Sequence, residues 1–277
     1  MNIAVMCPQV HGAGETMVSA LIASELSHRN KKVCMSHLRS KSDSFFTFFN
    51  FIEDSEKGNI SQLLSLVKTN SLKKENFPNY CKNISKNLDL FSLNKDLGDD
   101  LDISDVHIML DYLSNESIYD YVVYDMDIHD LEDDTVKYAL KNIDCVILVL
   151  TQERIVLKRF NDLKNTFIAK TKDIPTVVVI NKYLPLYGKV KDVAPLIGVT
   201  NNKAIKKWQM LHYNKYITYC ANKGDLNRFL EQTHKRTAET IEVNTDVKNI
   251  IRQILTVRES NRKNRINKLG NRLSNVD

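Results

Sequence analysis

Short apolar runs alternate with amphipathic stretches along most of the chain. Ile3–Cys7, Val33–His37, Leu88–Leu93, Tyr121–Asp125, Cys145–Leu150 and Thr176–Ile180 are compact and largely apolar, which predicts strands. Tyr216–Tyr219 predicts a weaker, last one. Between these runs apolar residues recur at helical spacing. Val18, Leu21, Ile22 and Leu26 share one face of a helix expected over Thr16–His28, and Ile60, Leu63, Leu64 and Val67 mark another. Further helices are expected over Ile103–Leu113, Leu131–Leu140 and Ile155–Phe167. Strands that alternate with helices imply right-handed βαβ units. The fold class is therefore α/β, with a mainly parallel twisted sheet of about seven strands flanked by helices. Val146–Leu150 and Val177–Ile180 lack polar alternation, as expected of strands covered on both faces.

In such sheets ligands bind at the carboxyl ends of the strands. The loops to inspect follow Cys7, His37, Asp125, Leu150 and Ile180. The first is Pro8-Gln9-Val10-His11-Gly12-Ala13-Gly14-Glu15-Thr16. A phosphate-binding loop here uses small residues so that backbone N–H groups and the following helix N-terminus can surround an anion. A lysine then reaches the phosphates and a Ser or Thr binds magnesium. Gly12, Gly14 and Thr16 stand where that pattern wants them, whereas Gln9 replaces a glycine and Glu15 replaces the lysine. Read without a ligand, the same glycines make a tight strand-to-helix turn and Thr16 caps the helix.

These residues resemble the deviant P-loop of the ParA/MinD family, K-G-G-x-G-K-T-T. The aligned positions are Val10-His11-Gly12-Ala13-Gly14-Glu15-Thr16-Met17, so Val10 and Glu15 replace both family lysines. His37-Leu38-Arg39 stands where the family has an acidic pair, so both carboxylates are missing. Gly58–Leu64 is similar to the short family helix that follows. Tyr119–Asp125 resembles the Walker B strand and retains Asp125, a magnesium-side position by resemblance and otherwise a strand-end cap. Pro175–Lys182 resembles the strand whose closing Asn, here Asn181, contacts adenine in the family; Asn181 also reads as a turn former. The resemblance runs through about residue 235 and rests on order and spacing more than on any one motif.

Charge changes the picture mainly at the C-terminus. Net charge is +5, too small to imply a nucleic-acid or membrane partner by itself. Arg252, Arg258, Arg262, Lys263, Arg265, Lys268 and Arg272 nevertheless face only two acids after Ile251, Glu259 and Asp277. Ile251, Ile254, Leu255, Ile266, Leu269 and Leu273 recur at helical spacing among them. We therefore expect an α/β domain over 1–242 and a basic segment of one or two helices over 243–277. The segment can lie on an anionic membrane, contact nucleic-acid phosphates, or pack on the domain with a solvated face. No apolar stretch approaches the ~18 residues of a membrane span. The N-terminal run is too short for a signal peptide, so the expected location is cytoplasmic, with the tail able to hold the protein at the inner membrane face.

Five cysteines without a C-x-x-C pair read as reduced thiols, four of them in or beside apolar runs. They also lack the spacing that the iron–sulfur relatives of this family require. Phe45, Phe46, Phe48, Phe49 and Phe51 read as core or a packed helix face rather than a docking patch. His11 and His37 meet at the sheet's carboxyl edge and, with no ligand-type neighbour, read as surface histidines. The resemblance then implies a positioning or assembly factor of the ParA/MinD type, such as a pilus, secretion or conjugation localisation factor of the TadZ/CpaE kind, without their receiver-like domain. It would act through protein partners, as a homodimer or otherwise, with weak or absent hydrolysis, no catalytic residue, no metal site and no cofactor. The alternative is an ATPase that takes ATP and magnesium at Gly12, Gly14, Thr16, Asp125 and Asn181, dimerises, and binds DNA or membrane.

Overall fold

A computed structural model describes residues 1–8, 12–37, 44–50, 60–92, 102–126, 131–197, 205–235 and 237–273, with backbone alone for 44–46, 205–207 and 260–273. Eight strands form one sheet: β1 (Asn2–Met6), β2 (Val33–His37), β3 (Lys82–Ser85), β4 (Leu88–Ser92), β5 (Tyr121–Met126), β6 (Cys145–Thr151), β7 (Thr176–Tyr183) and β8 (Ile205–His212). Their spatial order is β3-β4-β2-β5-β1-β6-β7-β8, and every pairing is parallel except the β3–β4 hairpin. The chain winds outward from β1 first towards β2 and then back towards β6. The loop after β1 therefore sits at the switch point, where a crevice opens beyond the strand ends.

Ten α-helices accompany the sheet among the described residues: α1 (Glu15–His28), α2 (Ser44–Phe49), α3 (Ile60–Lys68), α4 (Ile103–Asp111), α5 (Asp134–Leu140), α6 (Arg154–Thr171), α7 (Val190–Ile197), α8 (Lys215–Asn222), α9 (Leu226–Lys235) and α10 (Ile241–Leu273). α1 packs on β1, β2 and β5 and against α9 and α10, while α10 lies along β7 and β8. α6 packs on β6, and α7 packs on β8 and against α6. Local chemistry fixes several starts. Asp133 Oδ1 accepts from the amides of Thr135 and Val136 at the head of α5, and Asp102 Oδ1 accepts from Asp105 N at the head of α4.

The strands predicted from unbroken apolar runs form where expected. Every residue of β1 and β6 is buried, because helices cover both faces. The last expected strand is overturned: Tyr216–Tyr219 lies in α8. Asn214 Oδ1 caps that helix by accepting from the amides of Tyr216 and Ile217, and the two tyrosine rings stack one turn apart at 6.2 Å. The strand is instead β8, whose lysines Lys206 and Lys207 dilute the apolar signal, as befits the sheet's edge.

The C-terminal segment is one helix of 33 residues, about 50 Å long at 1.5 Å per residue. Val243, Val247, Ile250, Ile251, Ile254 and Val257 bury one stripe of it against the domain. All five cysteines are buried and none is in a disulfide. Phe49 is in the core and Phe48 is half-buried, whereas Phe51 and the side chains of Phe45 and Phe46 lie outside the described residues. No described helix is long and apolar enough to cross a membrane.

Candidate functional site

The turn from β1 into α1 depends on two left-handed glycines, Gly12 at φ 79° and Gly14 at φ 91°. Gly14 is the N-cap of α1 and its carbonyl accepts from Val18 N at 3.0 Å. Only the absence of a side chain makes this approach feasible, because a Cβ on Gly14 would lie 2.4 Å from Asn181 Nδ2. Asn181 Nδ2 donates to Ala13 O at 2.7 Å, and the ammonium of the next residue, Lys182, donates to Gly12 O at 2.6 Å. Two consecutive side chains at the end of β7 thus hold two consecutive carbonyls of the loop. Lys182 itself has φ 52°, a conformation that non-glycine residues adopt at a cost of about 1 kcal/mol and keep only where their surroundings impose it.

Glu15 is the first residue of α1 and is buried, as is Thr16 beside it. A carboxylate at a helix N-terminus is stabilised by the helix dipole and takes the sign that an incoming phosphate would bring. Gly12, Gly14, Glu15, Thr16 and Asn181 line one cavity of about 330 Å³. Val10 lies outside the described residues.

Asp125 stands one strand away from β1 and does not line that cavity. It is fully buried, in register with Val5 on one side and His37 on the other. Ser19 Oγ, from the second turn of α1, reaches its Oδ1 at 3.4 Å. His37 is not the surface residue its sequence context suggested. It is fully buried, and its Nδ1 lies 3.2 Å from Asp125 O. A carbonyl only accepts, so Nδ1 carries the proton. His11, its expected neighbour, lies outside the described residues. Among the described residues no group of three or more His, Cys, Asp or Glu is placed to hold a metal ion.

The far wall of the cavity was not visible in the sequence, because it comes from residues 211–222, almost two hundred positions after the loop. His212 closes β8 and is fixed by α10. Asp246 Oδ2 accepts from His212 N at 2.9 Å and from its Nδ1 at 2.7 Å, and Glu242 Oε1 lies 3.4 Å from Nε2. Burial raises the Asp246 carboxyl above its ordinary range, while the bonds from His212 pull it back down. Ser19 and His212 carried no recognisable motif; Lys182, next to Asn181, was visible in the sequence as a lysine able to stand in for the two that the loop lacks.

The sheet order, the glycine turn and the buried Asp125 define the P-loop α/β fold of the MinD and ParA nucleotide-binding proteins. No protein-family model matches the sequence, and no curated protein matches it. Solved structures do match. A chain of the MinC:MinD cell division protein complex from Aquifex aeolicus superposes with a TM-score of 0.64 at 13% identity, over 90% of this chain and 95% of that one. A ParA family ATPase from Chlorobium tepidum TLS gives 0.62 at 14%, over 87% and 95%. A putative plasmid partition protein from Borrelia burgdorferi B31, solved bound to AMPPNP, gives 0.56 at 20%, over 83% and 95%. At these identities the likeness establishes the fold.

Proposed function

We propose that the chain is a ParA/MinD-like pseudo-ATPase, a positioning or assembly factor that works through protein partners and does not turn over ATP. The observation that carries this reading is Glu15. It is buried, it opens α1, and it lines the cavity beside the loop, where the resemblance calls for a phosphate-binding lysine. Two like charges ~4 Å apart repel by about 1 kcal/mol in water and about 4 kcal/mol at the effective dielectric near a protein surface. By resemblance Thr16 and Asp125 are the magnesium-side positions, but Asp125 does not line the cavity that Thr16 lines, and Glu15 does not fit a triphosphate. The Gly12 and Ala13 carbonyls accept from Lys182 and Asn181, so both of these side chains are engaged by the loop itself.

The relatives support a partner-dependent role in general terms, since one MinD neighbour is solved as a complex with MinC. In this reading the first half of α10, as far as Arg258, completes the domain rather than the boundary falling at 242, and the basic residues beyond it contact anionic membrane or nucleic acid. The competing reading, an ATP-driven switch, draws on one observation: the Lys182 ammonium stands at Gly12 and could serve as the missing lysine. Sedimentation equilibrium with and without saturating ATP and magnesium separates the two. An unchanged mass supports the scaffold reading, and conversion of monomer to dimer by nucleotide supports the switch.

A further inference from the structure

The cavity beside the loop extends well past the loop itself. The apolar part of its lining comes from Met17 and Leu21 of α1, Phe48 of α2, Leu211 at the end of β8, and Ile217 and Ala221 of α8. A second cavity of about 370 Å³, lined by Gln152, Leu184 and Tyr187, adjoins it, and Lys182 and Tyr213 line both. Lys182 and His212 are the basic side chains among the described residues that line the first cavity. Volumes of about 300 Å³ and above are those of small-molecule sites, which pair an apolar wall with a few fixed polar groups.

Lys182 is such a fixed group. Its left-handed backbone and its bond to Gly12 O fix the ammonium on the cavity lining. An ammonium has three N–H donors, so two remain after that bond. Glu15, on the same lining, disfavours a ligand with several negative charges. We propose that this cavity binds a small organic anion with one negative group, held by Lys182, and an aromatic or aliphatic body seated on Met17, Leu21, Phe48, Leu211, Ile217 and Ala221. The single charge rests on the reading of Glu15 given above; the apolar seat does not.

The probe is 8-anilinonaphthalene-1-sulfonate, a rigid aromatic monoanion whose fluorescence rises in apolar surroundings. Titration followed by fluorescence and calorimetry should give one saturable site per chain. Lys182→Gln should weaken it about tenfold, the change that 1.4 kcal/mol produces, while Lys182→Arg retains it. Ala221→Leu, which fills the seat, should abolish it with the circular dichroism spectrum unchanged. Multiple weak sites, or one site indifferent to both Lys182→Gln and Ala221→Leu, would overturn the proposal. Binding of ATP with magnesium, followed separately, bears on the loop. Tight ATP binding with a probe site still dependent on Lys182 and Ala221 would refute the pseudo-ATPase reading and leave the apolar seat standing.

Discussion

Replacing Gly14 by alanine tests whether the loop is held from inside the protein. The new Cβ would lie 2.4 Å from Asn181 Nδ2, a distance that real side chains do not tolerate. Asn181 must move, and its buried bond to Ala13 O at 2.7 Å is lost. Leaving that carbonyl unpaired costs about 1–3 kcal/mol. Holding alanine at φ 91° adds about 1 kcal/mol. The expected destabilisation is about 2–4 kcal/mol. Gly12→Ala provides the control. Its φ is also left-handed, at 79°, but its Cβ would have nothing within 4 Å, so only the conformational term of about 1 kcal/mol applies. Urea unfolding followed by circular dichroism measures both. A cycle with Asn181→Ala sharpens the comparison. Once Asn181 is gone, Gly14→Ala should cost only about 1 kcal/mol more, so the two changes should couple by at least about 1 kcal/mol. Equal costs for Gly12→Ala and Gly14→Ala, or strict additivity in the cycle, would refute the idea that Asn181 clamps the loop.

Two other outcomes follow from packing and charge. His234 stacks on His28 with ring centroids 3.1 Å apart, and burial, with His28 and Lys248 beside it, pushes its imidazole down to about 4. The unfolded chain, with a histidine pKa of about 6.5, binds the proton more readily. Stability is therefore fully present above about pH 6.5 and lost as pH falls towards 4, by about 1–2 kcal/mol for this partly exposed ring. His234→Asn should flatten urea midpoints measured between about pH 7.5 and about pH 5, and an unchanged slope would count against the assignment. Ile254 is fully buried in the α10 stripe, so Ile254→Ala should lower stability by about 3 kcal/mol, whereas exposed Arg252→Ala on the same helix should change it by less than about 0.5 kcal/mol.

Most of the fold was legible because β1, β6 and β7 are covered on both faces, and their sequences accordingly carry unbroken apolar runs. β8 was not, because Lys206 and Lys207 interrupt its apolar pattern and the tyrosine-rich segment after it looked more strand-like than it is. Asn214 decided that segment, since a side-chain cap fixes a short helix whose residues also suit a strand. Within the site, the glycines and Glu15 were placed by their order after β1. His37 was misjudged because a buried histidine bonded to a main-chain carbonyl leaves no sequence pattern. Asn181 was read as an adenine contact by resemblance or as a turn former; in the structure it lines the cavity and its amide also donates to Ala13 O. That contact joins residues 168 positions apart, beyond the reach of any local pattern.

In this reading Glu15 disables the loop as a triphosphate site. The decisive experiment is calorimetry of ATP and ADP with magnesium on the wild-type protein and on Glu15→Lys. The wild type should give no binding heat, and Glu15→Lys should bind ATP measurably. Tight ATP binding by the wild type would contradict it and make nucleotide switching the leading reading.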